Sequence, residues 1–246
     1  MRAAIVSVDY DDILSVTLPY NRHHFEEVLI VTTPGSRDAK VAANFGARVF
    51  ETTAFYDNGA HFNKWKAFEQ GLDWFGRKGW MALLDADILW PTKLPEQMSY
   101  HKGILYSPYR RLWLDVKENI PGENIWGALP LFQDHEFAGY TQIFHTEDPA
   151  LPSGYWHDLD WNHAGGADSF FQQRWLHKNK VRPSWQVLHL GPPGRNWCGR
   201  ATPRRDSLEV PGAANRRQSL QELLEARPLN LRRYGNPYQG EKLVLR

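Results

Sequence analysis

Residues 1–90 alternate short apolar runs with segments whose apolar residues recur at helical spacing. Ala3–Val8 reads as a strand, followed by an expected helix over Asp12–Tyr20. Glu27–Thr33 reads as a second strand, closed by Pro34-Gly35. Ser36 is placed to cap a helix over Asp38–Phe45, which Gly46 stops. Arg48–Glu51 is a third, short strand. Phe62, Trp65, Phe68, Leu72 and Phe75 share one helical face, with Gly76 at its end, and Trp80–Leu84 is a fourth strand. Strand–helix repeats of this length predict an α/β fold, with a mainly parallel central sheet and helices on both faces.

The later chain is less regular. A strand is expected at Gly139–Phe144, a helix over Ser169–His177 and a short strand at Val187–Leu190. Beyond Gly191 the sequence is rich in Gly, Pro and Arg, and only Leu220–Ala226 reads as a helix. Residues 1–194 carry 18 Lys/Arg against 23 Asp/Glu, whereas residues 195–246 carry 11 against 5. The expected organisation is a single domain over 1–200 and a basic C-terminal extension over 201–246. A basic segment of this kind meets a polyanion or the phosphates of a small ligand, or is simply solvated. The single cysteine, Cys198, excludes an internal disulfide and suggests a reducing compartment. The opening apolar run stops at Asp9, too short for a signal peptide or a membrane span, so a cytoplasmic location is expected.

Met81–Pro91 (MALLDADILWP) places two carboxylates at the end of a run that otherwise reads as a buried strand. If the strand continues, Asp85 and Asp87 face one side and Ala86 the other. The C-terminal edge of such strands is where open α/β sheets bind ligands. Two carboxylates facing one point repel unless a cation sits between them, and a hard divalent ion that takes oxygen ligands suits. Two solvated aspartates in a turn are the plainer alternative, against which the flanking apolar residues argue.

An α/β first half, a strand ending in Asp-x-Asp and a later Gly-Gly-x-Asp before a helix together resemble the GT-A fold glycosyltransferases. FNKWKAFEQGLDWF followed by WMALLDADILWP is similar to that family's Asn-Lys, helix and DxD strand. GYTQIF, GGADSFFQQRW and VLHLGPPGRNWCGR resemble later blocks of family-2-like members, so the likeness runs in order over residues 3–200. It implies a Rossmann-like nucleotide-diphospho-sugar transferase fold. It further implies a nucleotide-sugar donor, with a UDP-sugar first among the candidates, and a divalent metal, Mn²⁺ ahead of Mg²⁺.

Residue by residue, the resemblance implies that Asp87 ligates the metal directly. Asp85 is implied to touch the metal through water or to contact the donor's ribose, and His189 to complete the metal site. Asp168 resembles the base of inverting members, since an acceptor hydroxyl attacks poorly without a carboxylate to take its proton. Asp168 could equally cap the helix that follows it. Many members have Glu-Asp where this chain has Ala167-Asp168, so one acidic residue often used to hold the acceptor is missing. Ser7, Asp9, Tyr10 and Thr33 occupy positions that contact base and ribose in the family. Lys64 is a candidate for the diphosphate, and Arg195, Trp197 and Arg200 for a late loop over the donor.

The acceptor divides into two expectations. One is a glycan. The other is a hydroxymethylated base in DNA, as in phage DNA-modifying glycosyltransferases, which the basic C-terminal stretch motivates. Nucleotidyl transfer is an alternative chemistry, but Val8–Leu14 (VDYDDIL) is acidic and lacks the usual glycine-rich loop. A haloacid-dehalogenase-type phosphatase wants Thr where this chain has Leu89. A non-catalytic carbohydrate-binding protein fits the 11 Trp residues.

Overall fold

The structure is a computed structural model that describes residues 1–60, 62–95, 99–113, 120–132, 137, 139–160 and 167–190. Strands β1 (Arg2–Val6), β2 (Glu27–Thr32), β3 (Arg48–Glu51) and β4 (Trp80–Asp85) lie parallel in the order β4-β1-β2-β3. They are joined by helices α1 (Asp11–Asn21), α2 (Arg37–Asn44) and α3 (Lys64–Phe75). The chain then forms β5 (Ile88–Leu89), β6 (Leu105–Tyr106), β7 (Tyr109–Trp113), β8 (Leu131–Phe132) and β9 (Thr141–His145). Helix α4 (Ala167–Gln172) precedes β10 (Lys180–Val181) and β11 (Gln186–Leu190). Among the described residues the main sheet runs β10-β6-β9-β4-β1-β2-β3, with β9 antiparallel to both neighbours. A second sheet runs β5-β11-β7-β8.

The alternation along β1, β2 and β4 sorts the core into two layers. Ala4, Val6, Leu29, Val31, Met81 and Leu83 face Trp65, Phe68, Leu72 and Phe75 of α3, joined by Phe171 and Trp175. Ala3, Ile5, Val28, Ile30, Ala82 and Leu84 face Leu14 and Leu18 of α1 and Ala42 of α2. Both faces of these strands are buried, as a parallel sheet requires. Gly71 lets α3 lie close on β2, since a Cβ there would come within 2.4 Å of the Val31 side chain.

Local signals act as the sequence predicts at two helix starts. Ser36 Oγ accepts from Ala39 N (3.1 Å) and Asn63 Oδ1 from Lys66 N (2.9 Å). The helix expected over Ser169–His177 is shorter and starts earlier. After Gln172 the backbone tightens into three-residue turns, while the Trp175 indole nitrogen donates to Asp148 Oδ2 (3.0 Å). The strand expected from Gly139 starts at Thr141. No helix among the described residues is long and apolar enough to cross a membrane.

Candidate functional site

The main sheet changes direction between β1 and β4: β1 connects outward to β2, and β4 lies on its other side. Ligands of open α/β sheets bind outside the strand C-termini at such a point. The residues after β1 and at the end of β4 flank it, with Val6 and Asp85 in register.

Asp85 ends β4, and Ala86-Asp87 form a turn into β5, so the strand does not carry both carboxylates on one face as expected. The cause is α1. Thr17 Oγ1 donates to Ala86 O (2.7 Å), and Asn21 donates to Ile88 O (2.7 Å) and accepts from Trp90 N (2.9 Å). These bonds pull the chain out of the main sheet and into the second one. There β5 pairs with β11, with Ile88 opposite His189, and Leu190 N donates to Asp87 O (2.9 Å). The buried Asp87 Oδ2 therefore lies 3.7 Å from His189 Nε2. Burial pushes the Asp87 carboxyl up; His189 opposes the shift, and the nearby Asp85 charge adds to it.

Asp85 has a different partner. Lys64, the first residue of α3, places Nζ 2.5 Å from Asp85 Oδ1 with only 13% of its side chain exposed. Burial works against the ammonium, but Asp85 first, then Asp168 and Asp87, outweigh it and hold the Lys64 pKa above the ordinary value. Thus Lys64, expected near a diphosphate, meets an aspartate here.

Metal-binding capacity follows from these placements. Among the described residues no group of three or more His, Cys, Asp or Glu side chains could hold an ion. Asp87 and His189 remain as a carboxylate–imidazole pair. Two donors bound at about 2.1 Å to one ion are at most about 4.2 Å apart, and the 3.7 Å spacing lies within that span. Hard divalent ions are commonly held by one or two protein groups plus substrate phosphates, and the pair fits that arrangement.

Asp168, in the first turn of α4, accepts from Gly139 N at Oδ2 (2.6 Å). Gly139 has no room for a side chain: a Cβ there would lie 2.7 Å from Asp168 Cβ and 2.9 Å from Oδ2. A methyl group at position 139 would therefore displace this carboxylate.

The loop after β1 is built around Asp38, which sequence reasoning missed. Its carboxylate accepts from Ser7 Oγ (2.5 Å), Asp9 N (2.9 Å) and Tyr10 N (3.0 Å), and Asp9 adopts a left-handed φ of 58°. Burial pushes the Asp38 carboxyl up, and these hydrogen bonds pull against the shift. The Ser7 hydroxyl thus serves the loop itself and the buried Tyr10 ring belongs to the core layer with Leu14, while Asp9 is half-buried. Thr33 is buried beside the bend that leads to Ser36. The only sequence signal for Asp38 is an acidic residue in a capped first helical turn, which reads equally well as a dipole partner.

A second missed group lies beneath α3. His157 Nδ1 is 2.5 Å from Glu69 Oε1, which also accepts from Trp156 N (3.1 Å) and His157 N (3.0 Å). Arg77 binds Glu69 Oε2 at 2.5 Å. The imidazole is stacked between Trp65 (4.1 Å) and Phe171 (4.6 Å). It therefore ties the helix bearing Lys64 to the helix bearing Asp168. Burial pushes the Glu69 carboxyl up, but His157 and then Arg77 outweigh it and hold it low. Burial lowers His157, against the pull of Glu69. Both directions describe a neutral imidazole donating Nδ1–H to an ionised carboxylate.

Arg195, Trp197, Arg200 and the basic segment 201–246 lie outside the described residues, as does Gly165-Gly166.

No family model matches the sequence, and no curated protein matches it. Solved structures that do match include mannosyl-3-phosphoglycerate synthase from Rubrobacter xylanophilus, at 18% identity over 100% of this chain and 78% of that one, with a TM-score of 0.44. Drosophila β1,4-galactosyltransferase 7, as a mutant in complex with manganese, UDP-Gal and xylobiose, matches at 12% identity over 74% and 65%, with a TM-score of 0.44. Glucosyl-3-phosphoglycerate synthase from Mycobacterium tuberculosis, in complex with Mn²⁺, UDP and glucosyl-3-phosphoglycerate, matches at 14% identity over 83% and 73%, with a TM-score of 0.44.

Proposed function

We propose that the protein is a metal-dependent GT-A glycosyltransferase that moves a sugar from a nucleotide-sugar donor, UDP-linked in the first instance, to an acceptor hydroxyl with inversion. The observation that carries this reading is the convergence at the β1/β4 switch point. Lys64 bound to Asp85, Asp87 beside His189, and Asp168 fixed by Gly139 act on one another there.

In this reading the loop held by Asp38 and the bend at Thr33 receive the nucleoside. Asp85 orients the ribose. Asp87 and His189 hold the ion, Mn²⁺ ahead of Mg²⁺ because imidazole joins the donor set. When bound, that ion neutralises charge on the departing diphosphate. Asp168 takes the acceptor proton, with one oxygen fixed on Gly139 N–H so that the other can turn to the hydroxyl. For Arg195, Trp197 and Arg200 we propose contacts to the donor's phosphates and sugar.

For the acceptor we propose a glycan hydroxyl. A hydroxymethylated base in duplex DNA rests only on the arginines of 195–246, and a transfer assay offered both acceptors separates the two.

Thermal shift tests the whole reading, because a ligand that binds only the folded form stabilises it, by about 2.7 kcal/mol at a hundredfold excess over Kd, and so raises its melting point. UDP with Mn²⁺ is expected to raise the Tm more than either alone. No shift with any UDP-, GDP- or dTDP-sugar in the presence of Mn²⁺ or Mg²⁺ would overturn it.

A further inference from the structure

We infer that Lys64 is the site's built-in counter-ion, holding Asp85 in the ligand-free protein and giving way when a divalent cation arrives together with a diphosphate. The inference rests on the proposed function and extends it to the order in which ligands bind.

Asp85, Asp87 and Asp168 together place three negative charges around one strand end. Such a cluster needs positive charge before any ligand arrives. The Lys64 ammonium meets this need at 2.5 Å from Asp85, and Asp168 and Asp87 also act on it through space. A free divalent ion must therefore compete with a cation already tethered in place. It enters a site whose charge is partly cancelled, so its affinity without nucleotide is low. A diphosphate changes the balance. It brings oxygen ligands for the ion and gives the ammonium a new anion to pair with.

The anatomy of α3 allows that exchange. Lys64 is the first helical residue, and its flexible four-carbon stem can turn while the backbone stays put. Asn63 fixes the helix start through Lys66 N (2.9 Å) and Leu159 O (2.6 Å). The neighbouring Trp65 is buried against His157. The ammonium can thus leave Asp85 without disturbing the helix. Asp85, once released, faces the ion or the ribose.

The test is calorimetric titration of the full chain with MnCl₂ alone and then with UDP at fixed Mn²⁺, on wild type, Lys64→Met, Lys64→Gln and Lys64→Arg. Circular dichroism and melting curves confirm folding, and Lys64→Gln decides if Lys64→Met does not fold. Removing the ammonium is expected to tighten Mn²⁺ binding without nucleotide by about tenfold and to weaken UDP binding in Mn²⁺ by a similar factor, a change of about 1.4 kcal/mol each. Lys64→Arg is expected to follow wild type in the Mn²⁺ titration. If wild type binds UDP with Mn²⁺ but the neutral variants bind free Mn²⁺ no more tightly, the counter-ion role is overturned and the site assignment stands. If neither wild type nor variants bind Mn²⁺ or UDP, both fall.

Discussion

On the proposed role of Asp168 as base, Asp168→Asn is expected to lower sugar transfer by about 10²–10⁴-fold, the range that general-base catalysis contributes. Besides the proton acceptor it removes one of the negative charges that act on Lys64. An asparagine side-chain oxygen can still accept from Gly139 N, so the contact that fixes this side chain survives. The first turn of α4 keeps a residue that can stabilise it. Loss of activity then reports loss of the proton acceptor and not collapse of the site. The measurement is kcat against donor KM, with a melting curve beside it. The base role predicts a large fall in kcat, a donor KM close to wild type and a nearly unchanged Tm. Turnover within about tenfold of wild type would move the base elsewhere.

Glu69→Leu is expected to cost about 3–5 kcal/mol, as breaking one side of a buried ion pair does. The loss includes more than the charge of one partner. Arg77, the His157 ring and the backbone N–H groups of Trp156 and His157 all lose an acceptor at once. For a chain of this size the melting temperature should fall by about 6–20 °C. The same cluster sets an acid limit. Glu69 is held below its ordinary value, so its stabilisation is complete above the unfolded carboxylate range and is lost as pH falls through its folded value. His157 is lowered as well, so the unfolded chain takes up a proton below about pH 6.5 that the folded chain refuses. Both effects have one sign: the Tm drops on acidification from neutral pH. In His157→Gln the part of that drop that begins near pH 6.5 should shrink, leaving the share of His24, whose pKa burial also lowers, to about 4. An equal drop in both proteins would separate this cluster from acid sensitivity.

The parts of the fold that follow from local pattern were legible. The four parallel strands, the Ser36 cap and the α3 stripe each depend on residues within one or two helical turns. The candidate site was legible only where it sits on those elements. Asp85 belongs to a strand the pattern identifies. Asp87 does not, because its place is set by Thr17 and Asn21, which lie 69 and 67 residues before the Ala86 and Ile88 carbonyls they bind. Asp38 and Glu69 were missed for the same reason. Each looks like an ordinary helical acid until the chain folds and delivers its partners, which for Glu69 and His157 lie 88 residues apart. Lys64 was singled out, but its partner was not, since nothing in Asn63-Lys64 indicates that the nearest anion is an aspartate of the next strand.

The turn at Ala86-Asp87 is the seam between two sheets, with Asp85 fastened to one and Asp87 to the other. Any sliding of the sheets changes the gap between those acids, so the jaws of the site are only as steady as that seam. A ligand gripped from both sides would work as a rivet, making occupancy of the site and rigidity of the joint two readings of one event.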